Sequence, residues 1–165
     1  MSARFQRITP FLWFDHQAEE AAAFYVAIFE NSRIAATTHY TRESAQASGC
    51  KEGSVMTVDF ELDGQHITAL NGGPVFKFNE ALSLVVHCRS QDEVDYYWDR
   101  LLEGAPEKTG QCGWLKDRYG LSWQVVPDEM IRLLTDPDPR KVARVTAAIM
   151  QMKKLDLDEL RRAAA

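Results

Sequence analysis

The sequence predicts an α+β fold: two related β-α-β-β-β modules followed by a helical tail. Three observations carry this prediction. Residues 8–71 pass through a strand, a helix and three further strands. The same order starts again at residue 82. Beyond Pro127 the apolar spacing becomes helical. An internal repeat is a stronger sign of fold than any one short motif. A chain of 165 residues suffices for one compact domain, or two small modules sharing a core. The expectation is a single domain over 1–165, with module one at 8–73, module two at 80–127 and the tail at 128–162.

The elements follow in order. Residues 8–14 are mostly apolar with Pro10 among them, as in a first or edge strand. Ala21, Phe24, Tyr25 and Ile28 then recur at helical spacing. Glu19 and Glu20 lie in the first turn, where negative charge suits the helix dipole. Residues 33–40 form the next strand, and the small, polar stretch 41–49 is expected to be a mobile loop. Residues 54–62 alternate: Met56, Val58, Phe60 and Leu62 share one face, Val55, Thr57, Asp59 and Glu61 the other. Asp63-Gly64 is a two-residue hairpin turn of the primed type, and 65–71 is the return strand, closed by Gly72-Gly73-Pro74.

Residues 82–88 open the second module. Ser90 and Glu93 have capping-box spacing, Val94, Tyr97, Trp98 and Leu101 repeat the helical stripe, and Gly104 stops the helix. Two or three strands follow, ending in the hairpin 112–127, whose turn is 117–120. In the tail, Asp138-Pro139 is an N-cap with Pro at the first helical position. Val142, Val145, Ile149 and Met152 line that helix. Asp156 and Glu159 cap a last short helix carrying Leu157 and Leu160.

Composition excludes several classes. Hydrophobic residues make up 45% and charged residues 26%, as in ordinary globular proteins. The net charge of −5 and the lack of a Lys/Arg cluster argue against nucleic acid as a partner. No apolar run approaches the roughly 20 residues of a membrane span, and the mixed charges of the tail disfavour a membrane surface. Residues 1–7 contain no signal-peptide core. Cys50, Cys88 and Cys112 are odd in number and widely spaced, which suggests free thiols and a cytoplasmic location.

Residues 8–15 with 18–25, residues 69–74, the hairpin 112–127 and the tail 136–160 together resemble the vicinal-oxygen-chelate superfamily. That superfamily holds glyoxalase I, bleomycin-resistance proteins and extradiol dioxygenases. Within it the chain looks closest to the PhnB-like branch, whose members often carry the label 3-demethylubiquinone-9 3-methyltransferase. The resemblance implies the glyoxalase/bleomycin-resistance fold, in which the two modules form a cupped mixed sheet around a cavity, and a homodimer. It also implies four metal-ligand positions on inner strand faces. Carried over, these fall on Thr9 or Pro10, near Thr68, on Ser83 and on Gln124. Hydroxyls and amides are poor ligands for a divalent transition metal, so the expectation is no metal and no cofactor. His87 with Asp59 or His66 is an off-pattern alternative for a metal. The methyltransferase label lacks physical support, because Phe14-Asp15-His16-Gln17-Ala18 after the first strand is not a glycine-rich donor loop.

The leading functional expectation is a metal-independent small-molecule-binding protein, its pocket lined by Trp13, Asn71, Ser83, His87, Trp114 and Gln124. Trp13 shares the parity of Thr9; His87 shares that of Ser83, and Ser122 that of Gln124. Asn71 serves equally well as a turn cap. The alternative is an enzyme acting on a carbonyl or phenolic molecule, with His87 or Asp59 as acid or base. Cys112 is a further catalytic candidate: a nearby Lys116 would lower its thiol pKa, while a buried inert thiol is the plainer reading. A vestigial pocket in an interaction protein is the third reading.

Overall fold

The computed structural model describes residues 6–106 and 110–165. The chain divides into two compact units, Met1–Lys77 and Phe78–Ala165. The boundary falls in the connector that separates the two sequence modules.

The first unit comprises β1 (Phe11–Phe14), α1 (Ala18–Val26), β2 (Arg33–His39), α2 (Arg42–Ser48), β3 (Val55–Leu62) and β4 (Gln65–Asn71). Its mixed sheet has the order β1-β4-β3-β2, with β1 parallel to β4 and the other pairs antiparallel. Asp63 and Gly64 have φ 47° and 77°, the double left-handed pair that a primed hairpin turn needs. The alternation in β3 orients the sheet: Val58, Phe60 and Leu62 are buried, as are Leu12, Phe14, Ile67 and Ala69 on its neighbours. α1 packs on β3 and β4. Three of its buried residues, Ala18, Ala21 and Ala22, let the helix come close, and Tyr25 stacks on Phe60 with ring centroids 6.3 Å apart. Burying each of these rings contributes about 1.5–3 kcal/mol.

Two expectations are corrected here. The first strand begins at Phe11, not Ile8, which is exposed; Pro10 still offers its carbonyl to the Thr68 N–H at 3.0 Å. Residues 41–49 are not a loop but a capped helix. The Thr41 hydroxyl accepts from Ser44 N–H, and Gly49 closes the helix at φ 76°.

The second unit comprises β5 (Ser83–Cys88), α3 (Gln91–Leu101), β6 (Trp114–Lys116), β7 (Ser122–Pro127), α4 (Asp128–Leu134), α5 (Pro139–Ile149) and α6 (Leu157–Ala164). Its sheet has the order β5-β7-β6, with β5 parallel and β6 antiparallel to β7. Among the described residues this unit is β-α-β-β; a third strand after α3 is not found there, and residues 107–109 lie outside them. Ser90 caps α3 through Glu93 N–H, and the Glu93 carboxylate accepts from Arg89 N–H at 2.7 Å. Val94, Trp98 and Leu101 are buried, on the side where α3 meets β5 and β7.

In the tail, Asp138 caps α5 and Asp156 caps α6. Val145, Ile149, Met152, Leu155 and Leu160 form a separate core there. The tail is part of the second unit: α4 meets β7, and the Gln91 side chain donates to Leu155 O and accepts from Leu157 N–H. Among the described residues no helix is long and apolar enough to cross a membrane.

Candidate functional site

Strand periodicity gives each sheet one covered face and one open face. In the second unit the open face is a grid fixed by register. Ser83, Ser122 and Lys116 form the first row; Val85, Gln124 and Trp114 the second; His87 and Val126 the third. This is the parity expected from the sequence for Ser83 with His87 and for Ser122 with Gln124. The Gln124 amide donates to Ser83 Oγ at 2.8 Å.

A cavity of about 380 Å³ opens at the first-row end. Trp114, Leu115, Pro106 and Gly110 supply its apolar wall, and Lys116, Glu80, Asp117, Gly120 and Ser122 the rest. Lys116 forms an ion pair with Glu80, both side chains being largely exposed. The Lys116 ammonium holds the Glu80 carboxyl below its ordinary range, chiefly by a hydrogen bond. Ser122 is 1% exposed, and its Oγ has no hydrogen-bond partner among the described residues. Buried hydroxyls nearly always have one, so this atom marks the wall at which an incoming polar group would gain most.

Asp117 gives the wall its rigidity. It is 1% exposed. Its Oδ1 accepts from Tyr119 N–H at 2.8 Å and Leu121 N–H at 3.1 Å, and its Oδ2 from the Trp123 indole N–H at 2.8 Å. Three donors to one buried carboxylate satisfy a charge that would otherwise be costly to bury. Gly120, at φ 84°, donates to Asp117 O and completes the turn expected at 117–120.

The remaining candidates sit elsewhere. His87 Nδ1 lies 3.1 Å from Asp128 Oδ1, with both side chains more than half exposed. Four residues of strand separate His87 from the Ser83 row, about 13 Å at 3.3 Å per residue, so His87 and the cavity occupy opposite ends of the face. Trp13 lies on the open face of the first sheet, shared with Thr68. Its indole N–H donates to Gly73 O at 2.9 Å, and Phe76 meets its ring edge-on at 4.9 Å.

Asn71 is buried on the opposite face, and its amide is committed to the fold. Its Oδ1 accepts from Ala18 N–H at 2.8 Å, and its Nδ2 donates to Glu19 at 2.6 Å and Val55 O at 3.2 Å. Its carbonyl also accepts from the Tyr40 hydroxyl at 2.7 Å. It fastens the start of α1 to the end of β4.

Asp59 accepts from the Thr68 hydroxyl at 2.6 Å, whereas His66 pairs with Glu61, which also binds Arg33. Among the described residues no group of three or more His, Cys, Asp or Glu side chains is placed to hold a metal ion. The four positions carried over from the superfamily meet as two pairs, one per unit: Pro10 with Thr68, and Ser83 with Gln124. Their hydroxyls and amide do not fit a divalent transition metal.

Cys112 is not part of a regular strand, which corrects the expected start of the last hairpin. It has φ 54° and Gly113 φ 83°, and Gln111 and Trp114 bond to each other across them. This is a primed turn of its own, so Cys112 leaves the face of Trp114 and Lys116. Its Sγ lies 3.8 Å from Met150 Sδ. Cys88 is core, as its alternation with Leu84 and Val86 implies; burial pushes its thiol up to about 12, helped by the Glu93 and Asp128 charges.

Sequence reasoning passed over Glu80 and Asp117 as cavity residues and considered Lys116 only as a neighbour of Cys112, whereas it put Ser122 on the face of Gln124. Lys116 was recoverable by counting in twos from Trp114, as Ser122 was from Gln124. Glu80 was not, because its partner is set by a connector with no periodicity.

The sequence model of the family described as 3-demethylubiquinone-9 3-methyltransferase matches residues 6–126. Among solved structures, a PhnB protein from Bacillus cereus bearing the same methyltransferase description is 32% identical with TM-score 0.61, covering 74% of this chain and 99% of its own. Protein PA1353 from Pseudomonas aeruginosa shares the fold, with TM-score 0.58 at 19% identity over 74% of this chain and 98% of its own. Among curated proteins none matches. The length of the family match and the identity to the Bacillus protein settle the classification: this chain belongs to the PhnB-like family described as 3-demethylubiquinone-9 3-methyltransferase.

Proposed function

We propose that the protein is a metal-independent small-molecule-binding member of this family, and that the cavity beside β6 is its binding site. The observation that carries this reading is Ser122: a buried hydroxyl without a partner among the described residues, in the wall of a cavity with an aromatic side and an ion pair. Ligand sites combine an apolar lining with a few placed polar groups, usually within about 300–1,000 Å³; the cavity falls at the lower end of that range. Metal independence is supported by the residue types Thr9 or Pro10, Thr68, Ser83 and Gln124.

Methyl transfer, the activity in the family description, is not proposed for this chain. Donor-binding enzymes usually use a doubly wound parallel sheet with a glycine-rich loop, whereas both sheets here are small and mixed. A cytoplasmic homodimer completes the proposal. The open edge strand β2, whose seven residues are all exposed, supports pairing with a second copy.

Native mass spectrometry of the purified protein tests mass, metal and adduct together. A fragment screen read at the Trp114 indole N–H tests the site. The expected result is saturable binding that Ser122→Ala weakens. Ligands that bind while leaving both Trp114 and the Ser122→Ala comparison unaffected would place the site elsewhere.

A further inference from the structure

We infer that the cavity recognises a small organic carboxylate with an unsaturated or aromatic body, a conclusion that rests on the cavity being the binding site. Lys116 and Ser122 are directly opposed on β6 and β7. The adjacent pair is hydrogen-bonded, Asp117 N–H donating to Leu121 O, and Val125 N–H donates to Gly113 O three positions along in the same alternation, so Lys116 and Ser122 fall at a non-hydrogen-bonded position. Non-hydrogen-bonded opposed residues bring their Cβ atoms to about 4.5–5.5 Å on one face. An ammonium and a hydroxyl therefore stand side by side, both able to donate, and a carboxylate has two oxygens for two donors.

Lys116 is already used this way, by a carboxylate from its own chain. Glu80 comes from a turn outside any strand, and its side chain is 67% exposed against 48% for Lys116. The lysine is anchored in a sheet, and the glutamate is not. Moving Glu80 into water costs little, because a solvent-exposed ion pair is screened and holds only weakly. An incoming carboxylate then takes over the Lys116 ammonium and also accepts a hydrogen bond from the Ser122 hydroxyl, a bond that Glu80 does not make. Trp114 and Pro106 present the surface for the rest of the ligand. Glu80 acts as a resident competitor that leaves when a better carboxylate arrives.

The test uses the full chain, with binding read by NMR at the Trp114 indole N–H and the peak assigned with Trp114→Phe. The probes are benzoate, its uncharged counterpart benzamide, and benzylammonium. Benzoate is expected to bind about tenfold more tightly than benzamide, the scale of one charge-assisted hydrogen bond. Lys116→Met should abolish that preference. Glu80→Gln, an exposed substitution that spares the sheet, should tighten benzoate severalfold by removing the competitor.

Equal binding of benzoate and benzamide would overturn the carboxylate assignment while leaving the cavity as a site. So would a benzoate affinity indifferent to Glu80→Gln, or preference for benzylammonium, which would make Glu80 the recognising group. If none of the three probes perturbs Trp114, the cavity reading and the carboxylate assignment both fall.

Discussion

Asp117 shows how much one side chain can decide. Its carboxylate closes the β6–β7 hairpin, anchors Trp123 and stiffens the cavity wall. Replacing it by alanine leaves two backbone N–H groups and an indole N–H without their acceptor. At about 1–3 kcal/mol per buried group left unpaired, partly relieved by entering water, the expected loss is about 3–5 kcal/mol. Asp117→Asn should cost less, since one amide oxygen still accepts. Urea denaturation of both variants checks the order; equal losses would mean that turn geometry, and not the carboxylate, holds the hairpin. From sequence, Asp at the first position of a turn was legible, because a side chain that accepts from N–H two residues on is the physical reason Asp favours that place. The bond to Trp123 was not, since it depends on how far the indole reaches once the strand is registered.

At the scale of elements, the clasp between the last hairpin and the tail is sensitive at Gly113. Cys112 N–H donates to Met152 O and Gly113 N–H to Lys153 O, each at 2.8 Å. A Cβ on Gly113 would come within 2.8 Å of Leu155 Cδ1 and 3.0 Å of Val125 O, at a φ of 83°. Gly113→Ala should therefore cost about 2–4 kcal/mol from strain and overpacking. Amide exchange should speed up in α5 and α6 before it does in α3. Uniform acceleration would show that the tail does not open separately.

A second element contact gives a pH signature. The Arg161 guanidinium, 2.7 Å from Glu129, holds that carboxyl below its ordinary 4.5. A depressed carboxyl contributes stability above its unfolded pKa and loses it as pH falls through the folded value. The α4–α6 contact should accordingly weaken below about pH 4.5, and Arg161→Gln should flatten that acid limb of the stability curve. Elements with strict periods were legible: β3 from its alternation, α3 and α5 from their stripes and caps. α2 was missed although Thr41 and Gly49 bracket it as caps, because seven polar and small residues give no apolar stripe. The Cys112–Gly113 turn was missed because its left-handed cysteine is held by the tail, a partner about 40 residues away that no local pattern announces.

For the whole molecule, the sequence repeat translated into two compact units and two open sheet faces. It did not foretell that the cavity would be lined by the second unit's hairpin together with Glu80, Pro106 and Gly110. The connector itself is exposed at Val75 and Phe76. Brief chymotrypsin treatment should cut first at Phe76, giving fragments that end near the unit boundary. First cleavage inside β3 or β7 would contradict the division.

The thiols have a practical consequence. Cys88 is 1% exposed and its proton is held up to about pH 12, while Cys50 and Cys112 are partly exposed. A thiolate reagent applied to the native protein at neutral pH should modify two of the three cysteines and spare the third until the chain unfolds. The two that react fall one in each compact unit. The natural sequence thus carries a ready pair of attachment points for a donor and an acceptor dye. Energy transfer between them would follow the separation of the two units as ligand is added, with no cysteine introduced or removed.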